Sequence, residues 1–275
     1  MFDTKPFGTF KPVGPVAQII KVTRRASNAW LSKRLALLLR RVALKLLRGA
    51  PVDIDALGAR MRLMPYNNVC EKRVLFTPQL FDPLEREILA ERIRDGFIFI
   101  DIGANVGTYS LFVAARAGKG ARILAVEPQP DIYDRLVFNI RQNPGTAIKA
   151  VDCAVADKPG EATLFLNPHN CGESSLKIIG SSQAGTIKVT ATTLLALIES
   201  EGLDRVDALK LDVEGAEDII LEPFLRDAPP ELYPQIIIVE DGSERWQIDL
   251  PQLLGTCGYV EVARSRLNLI YERSG

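Results

Sequence analysis

The stretch that decides the fold is Phe97-Ile-Phe-Ile-Asp101-Ile-Gly103-Ala-Asn105-Val-Gly107-Thr-Tyr-Ser110. Its first four residues are apolar, which is typical of a buried parallel strand. Two glycines follow an acid, and from Thr108 the apolar residues recur with helical spacing. Glycine lets a backbone approach a ligand closely, and a helix N-terminus offers free N–H groups. Strand, glycine turn and helix therefore predict a nucleotide-binding crossover.

The same alternation of strand and helix continues along the chain. The predicted fold class is α/β, with a mostly parallel seven-stranded sheet and helices on both faces. Further sheet strands are expected over residues 121–126, 148–151, 207–211, 235–239, 260–263 and 268–271. Helices are expected over residues 130–142, 192–201, up to 221 and 246–256, and strands over residues 162–166 and 187–190 flank a polar loop.

The region upstream of the sheet is predicted as a short extension. Residues 59–64 alternate in polarity, and we expect them to pair as a strand with residues 72–76. A helix over residues 82–94 begins with Asp82 as its N-cap and Pro83 at its first position. The predicted organisation is a basic arm over residues 1–50, a hairpin and helix over 51–96, and a nucleotide-binding domain over 97–275.

The basic arm differs in charge from the rest of the chain. Residues 1–50 hold eleven Lys and Arg and one acid, so they carry +10, and the remaining residues carry −10 because the net charge is zero. Residues 1–16 are expected to be extended, and residues 28–48 to form an amphipathic helix that Gly49 ends. Two interpretations stay open. The helix lies on an anionic membrane or a partner, or it packs on its own domain with its cations in solvent.

Composition excludes several classes of protein. The four cysteines form no C-x-x-C pair and there is one histidine, which argues against a zinc site or a disulfide framework. No run of eighteen apolar residues predicts a membrane span, and we expect no signal peptide. These features predict a cytoplasmic protein. The alternative is a cytoplasmic protein that also contacts a membrane peripherally through residues 28–48.

Acidic residues end five of the predicted strands. They are Asp101, Glu127, Asp152, Asp212 and Glu240. Some acids after strands are helix caps, which explains one or two of the five. Because ligands bind beyond the carboxyl ends of parallel strands, the others predict a rim of oxygen atoms around one crevice.

The spacing of the glycine turn restricts the class of ligand that it can bind. The dinucleotide motif G-x-G-x-x-G is absent, and an acid directly before the turn would repel a pyrophosphate. Asp101 instead suits a cationic group. Glu127 can accept hydrogen bonds from ribose hydroxyls, and Asp152 from an exocyclic amine. The predicted ligand is a nucleoside that carries an ammonium or sulfonium group.

With this glycine turn and these acids at the strand ends, the sequence resembles the FkbM family of class I methyltransferases, which use S-adenosylmethionine. The resemblance covers about residues 58–272. It rests on the stretches 99–110, 125–130, 152–157, 172–176, 189–194, 209–217 and 268–270, above all Gly103-Ala-Asn105-Val-Gly107 and Asp212-Val-Glu214-Gly-Ala-Glu217. The basic arm lies outside it.

The resemblance implies a Rossmann-like fold and methyl transfer to an oxygen atom, often on a sugar, a glycan or a small metabolite. It implies that Asp101, Gly103, Ala104, Asn105 and Gly107 hold the methionine part of the cofactor. It also implies that Glu127 holds the ribose, and that Asp152 and Cys153 border the adenine. Asp212 and Glu214 would face the transferred methyl group, and Glu240, Ser174 and Ser175 would contact the acceptor. The family often has Asn where this chain has Asp152.

Methyl transfer to a hydroxyl needs a base, for which Asp212, Glu214, His169 and Glu240 are the candidates. No metal is expected, although Asp212, Glu214 and Glu240 have the oxygen ligands that suit Mg²⁺. Two other functions remain open. One is a nucleic-acid methyltransferase that uses the basic arm, although the acidic body argues against it. The other is a non-catalytic scaffold that docks through residues 28–48.

Overall fold

A seven-stranded sheet forms the centre of the molecule in the computed structural model, which describes residues 4–166, 174–175 and 185–274. Five of its strands are parallel: β3 (Ile98–Ile102), β4 (Arg122–Val126), β5 (Ile148–Val151), β10 (Ala208–Leu211) and β11 (Ile236–Glu240). β13 (Asn268–Arg273) pairs antiparallel with β11 and with β12 (Tyr259–Arg264), so β12 runs in the same direction as the five, and the order is β12-β13-β11-β10-β3-β4-β5. The predicted fold class is confirmed.

Helices join the strands as crossovers. They are α5 (Thr108–Ala114), α6 (Pro130–Arg141), α7 (Leu194–Ser200), α8 (Glu217–Asp227) and α9 (Leu250–Thr256). Two hydrophobic clusters cover the sheet, with Phe97 and Phe99 in one cluster and Ile98 and Ile100 in the other. The apolar run before the glycine turn is therefore buried on both faces, as its composition predicts.

A smaller sheet lies between β5 and α7 in the chain. Its order is β6-β9-β7-β8, formed by β6 (Ala154–Val155), β7 (Gly160–Leu166), β8 (Ser174–Ser175) and β9 (Thr186–Thr192). The strands predicted over residues 162–166 and 187–190 are thus confirmed as antiparallel partners, although each is longer than predicted.

The region before the sheet contradicts part of the prediction. The predicted strand over residues 72–76 is wrong, because Val69–Phe76 forms helix α3. The strand β2 (Ala59–Leu63) pairs instead with β1 (Val52–Ala56). The Asn68 side chain caps α3 by accepting from Glu71 N, and the buried Glu71 pairs with Arg135 of α6. This long-range ion pair favours the helix at a segment whose local composition suits a strand.

The start of α4 (Pro83–Arg92) also differs from the prediction. Pro83 is the first helical residue, but Asp82 adopts a left-handed conformation and makes no capping hydrogen bond. Its carboxylate accepts instead from Arg73 and from the Tyr109 hydroxyl. Asp82 therefore ties α4 to α3 and α5.

The basic arm contains two helices, α1 (Gly14–Thr23) and α2 (Trp30–Leu47). The predicted amphipathic helix is confirmed as α2. The extended conformation predicted for residues 1–16 is wrong in part, because residues 7–10 form turns and α1 begins at Gly14. Val16 and Ile20 of α1 share a hydrophobic cluster with the β1–β2 hairpin. The chain before α1 is held by the buried Asp53–Arg62 pair, since Asp53 Oδ2 accepts from the backbone of Gly8 and Phe10.

Candidate active site

The glycine turn after β3 presses against the end of β10. Gly103 has a φ of +78°, and a Cβ atom there would lie 2.0 Å from the Asp212 carbonyl oxygen. Only glycine fits a position with left-handed backbone and so little space. The close approach brings the two carboxyl ends together, and two adjoining cavities meet at Gly103 and Asp212.

Asp101 and Lys210 are the buried charges of the first cavity. Strand register places them opposite each other on β3 and β10. Asp101 Oδ2 accepts from Ser110 N at 3.1 Å and from Ser110 Oγ at 2.7 Å, so it anchors the first turns of α5. Burial raises the pKa of Asp101 against the opposing effect of Lys210.

Lys210 connects the two predicted halves of the site. Its Nζ donates to Asp212 Oδ2 at 2.8 Å and lies 4.8 Å from the centre of the Tyr109 ring. Burial lowers the pKa of Lys210, but the charges of Asp212 and Asp101 outweigh it, and the net shift is upward. The ammonium is therefore a fixed positive charge between the glycine turn and the end of β10.

Asn105 and Glu127 shape the other side of the turn. Asn105 has a φ of +52°, and its amide oxygen accepts from Val106 N and from Asn68 Nδ2. Glu127 accepts from Asn105 N at 2.9 Å and from Gln129 N at 3.0 Å through different oxygens. Burial raises the pKa of Glu127 to about 7 despite these two bonds. Each carboxylate oxygen has a second lone-pair site and can accept one more donor.

The second cavity is a mostly apolar slot that opens beside Glu127. Its lining includes Ile102, Val126, Cys153, Val155, Leu164 and Val213. Such a slot suits a flat heteroaromatic ring, with Glu127 placed at its edge. Cys153 lines this slot, and its contact with an adenine remains a prediction. Asp152 is exposed at the end of β5 and is not among the lining residues, so its contact with an exocyclic amine remains a prediction.

The carboxylates of Asp212, Glu214 and Glu240 converge in the first cavity. One oxygen from each lies within 4.8 Å of the others, and Arg245 lies 3.7 Å from Glu214 and 3.9 Å from Glu240. Burial, together with the charges of Asp212 and Glu214, raises the pKa of Glu240 to about 9. The set can share a proton between its members, and hard oxygens at this spacing could also accept a divalent cation.

Glu217 holds the loop that carries two of these carboxylates. Its Oε1 accepts from Val213 N at 3.2 Å and Gly215 N at 3.1 Å, and its Oε2 accepts from Trp246 Nε1 at 2.9 Å. These bonds support Glu214, which has a φ of +58°. The last acid of the Asp-Val-Glu-Gly-Ala-Glu motif thus positions the loop and does not line the cavity.

Sequence reasoning missed several residues of the first cavity. Lys210 is one, and its signal was a lysine inside the apolar run Ala208-Leu-Lys-Leu211. Others are Asn68, Arg73, Tyr109 and Asn268. Three of these come from elements outside the predicted turn, and only the folded chain brings them to it.

Three predicted site residues are not placed. His169 lies outside the described residues. Ser174 and Ser175 form β8, whose backbone pairs with Leu166 and Phe165, and their side chains are not described. Their roles as base and acceptor contacts remain predictions.

Comparison with known proteins identifies the domain that carries this site. Residues 101–261, more than half of the chain, match the methyltransferase FkbM domain. The chain belongs to the FkbM methyltransferase family. The match begins at Asp101 and includes every strand end described above, so the glycine turn and the carboxylate cluster are parts of one methyltransferase domain.

Individual relatives agree with the family. Methyltransferase sdnD of Sordaria araneosa is 31% identical in an alignment 153 positions long, which covers 45% of this chain and 58% of that protein. Hexuronic acid methyltransferase AglP of Haloferax volcanii is 27% identical over 135 residues, 49% of this chain and 53% of that protein. The matched segments span little more than half the length of these relatives.

Among solved structures, a SAM dependent methyltransferase from Aquifex aeolicus matches with a TM-score of 0.42 and 15% identity, over 70% of this chain and 90% of that one. That similarity is too low to support an argument about residues.

The site fits S-adenosylmethionine, the methyl donor of FkbM methyltransferases. Gly103 provides the close backbone approach, and Asp101 lies on the side that would take the methionine ammonium group. Glu127 would accept from the ribose, and the apolar slot would take the adenine. The sulfonium would then lie near Gly103 and Asp212, where the two cavities meet.

Proposed function

We propose that the chain transfers a methyl group from S-adenosylmethionine to a hydroxyl of a sugar, a glycan or another small polar metabolite. The convergence of Asp212, Glu214 and Glu240 beside the glycine turn carries this proposal. A hydroxyl is a weak nucleophile until it loses its proton, and carboxylates next to the methyl group provide the acceptor for that proton.

Asp212 is the base in this proposal. Its side chain is 41% exposed, so an acceptor can reach it, and Lys210 holds it in place through Nζ. S-adenosylmethionine would supply an electrophilic methyl carbon; the acceptor oxygen would bond to that carbon in line with the C–S bond, which breaks and leaves S-adenosylhomocysteine. Asp212 takes the hydroxyl proton as the new O–C bond forms. Alignment of the two reactants contributes up to about 7–11 kcal/mol in model reactions.

The lining of the first cavity supports a polyhydroxylated acceptor. It combines Asn68, Arg73, Glu240 and Asn268, which offer both donors and acceptors around the carboxylate cluster. Asn268 is oriented by a 2.7 Å bond from its Nδ2 to the buried Glu85. AglP, one of the relatives, is a hexuronic acid methyltransferase, and Arg73, which pairs with Asp82, lines the cavity and could also contact the carboxylate of an acidic sugar.

The test is transfer of a labelled methyl group to a panel of neutral sugars, uronic acids and their glycans. Asp212→Asn should lower kcat by roughly 10²–10⁴-fold and leave cofactor affinity within about threefold. Asp241→Asn is the matched control, because Asp241 follows the neighbouring strand and pairs with Arg264 outside the cavity. Equal activity of both variants would remove Asp212 as the base. Absence of cofactor binding in the unsubstituted chain would favour a non-catalytic scaffold.

A further inference from the structure

Helix α2 presents an apolar stripe to solvent. Its members recur with helical spacing and are Leu31, Leu35, Leu38, Val42 and Leu46, all at least 49% exposed. Trp30, at the start of the helix, is 63% exposed. The stripe is continuous over the whole length of α2, whereas isolated exposed apolar residues need no explanation.

Another face of α2 already has its partners. Ala36 and Ala43 are buried, and α2 packs against α1. The end of α1 is in turn bonded to the body, because Arg24 donates to the Leu75 and Asp55 carbonyls. Gln79 donates to the carbonyls of Thr23 and Ala26 between the two helices. The arm is thus docked through one face, and the apolar stripe is the face directed away from it.

The charges of α2 indicate what covers the stripe. Residues 30–47 contain five Lys and Arg and no acid. Arg34, Arg41 and Lys45 recur with helical spacing along one flank of the stripe, and all three are exposed. The Arg34 guanidinium lies 4.4 Å from the centre of the Trp30 ring. An apolar stripe with Leu and Trp beside a row of cations is the composition of a helix that lies in a membrane interface.

We propose that α2 docks this protein on an anionic lipid surface. Leu31, Leu35, Leu38, Val42 and Leu46 enter the boundary between headgroups and acyl chains, while Arg34, Arg41 and Lys45 contact lipid phosphates. Trp30 lies at headgroup level, where an amphipathic ring is favoured. The contact is peripheral, because none of the helices in the described part of the chain is long and apolar enough to cross a membrane.

A second copy of the chain is the less suitable occupant. Two α2 helices that buried their stripes against each other in antiparallel orientation would bring the rows of Arg34, Arg41 and Lys45 together. No acid of α2 would offset the repulsion. An anionic bilayer complements the same charges. The cations of α2 therefore favour an anionic lipid surface over a second copy of the chain.

The test is co-sedimentation of the full chain with phosphatidylcholine vesicles, with and without phosphatidylglycerol. Binding is expected only with the anionic lipid, and it should weaken when salt rises from about 0.05 M to about 0.5 M. Arg34→Gln/Arg41→Gln/Lys45→Gln should lower the partition coefficient about 100-fold, at about fivefold per cation. Leu31→Glu/Leu38→Glu/Val42→Glu should abolish binding.

The matched control is Val260→Glu/Val262→Glu. It adds exposed acids at two exposed valines of β12, far from α2 in the chain, and should leave most of the binding intact. Circular dichroism of each variant reports whether it folds. Failure of the unsubstituted chain to bind anionic vesicles would overturn the proposal. So would a dimer in sedimentation velocity that Leu31→Glu/Leu38→Glu/Val42→Glu converts to a monomer.

Discussion

Replacing Gly103 by alanine tests the close approach on which the site depends. The new Cβ would lie 2.0 Å from the Asp212 carbonyl oxygen, and an ordinary contact starts at 3.4 Å. The turn or the strand end must therefore move by more than 1 Å. The left-handed conformation costs about 1–2 kcal/mol, and the displaced backbone adds about 1–3 kcal/mol. We expect Gly103→Ala to lower the free energy of unfolding by about 2–5 kcal/mol.

Gly145→Ala is the control for strain alone. Gly145 has a φ of +88°, and a Cβ there meets nothing within 4 Å. This variant should lose about 1–2 kcal/mol and keep full activity. Gly103→Ala should in addition lose kcat by about 10²-fold, because a 1 Å displacement separates the methyl group from Asp212. Urea unfolding and labelled-methyl transfer measure both effects. Equal stability and activity of the two variants would refute the geometry.

Three further predictions concern buried charges. Lys210→Met should cost about 2–3 kcal/mol of unfolding free energy, which is below the value for a fully buried pair because Asp212 is half-exposed. Lys149→Met removes an exposed lysine from its pair with the mostly buried Glu201 and should cost about 1 kcal/mol or less. Because the pKa of Glu127 is raised, the folded protein keeps a proton that the unfolded chain loses near pH 4.5. The contribution of Glu127 to the free energy of unfolding should therefore fall between about pH 4.5 and about pH 7 and then level off. Cofactor affinity in calorimetry should rise through the same pH 7 region as Glu127 ionises, and Glu127→Gln should remove that rise; a pH-independent affinity would contradict it.

Local sequence was sufficient for the parallel strands and for the turn between them. Phe97–Ile100 is apolar throughout, and such a run before a glycine turn is typical of a strand buried on both faces. The acids that follow these strands mark the carboxyl-end edge of the parallel sheet, and this does not depend on how the strands are aligned with one another. The cofactor side of the site, from Asp101 to Glu127, follows from these local patterns.

The rest of the site depends on contacts between distant segments. Lys72–Phe76 has the composition of a strand, but the pair between Glu71 and Arg135 and the cap by Asn68 make it helical. Lys210 lies in an otherwise apolar strand. The sequence of that strand does not show that the Asp101 carboxylate lies opposite Lys210 on β3. Likewise, the packing of α1 against α2 and the body shows which residues of α2 are exposed, and the sequence of α2 alone does not.

The most direct test of the central claim is the position of the transferred methyl group. The protein would be incubated with S-adenosylmethionine carrying a ¹³C-methyl group and with the acceptor that the labelled-methyl screen identifies, and the product examined by NMR. We expect the unsubstituted chain to form a methyl ether on an acceptor hydroxyl, and we expect Asp212→Asn to lose this product. A methyl group on nitrogen or carbon, or an ether formed equally by Asp212→Asn, would contradict it.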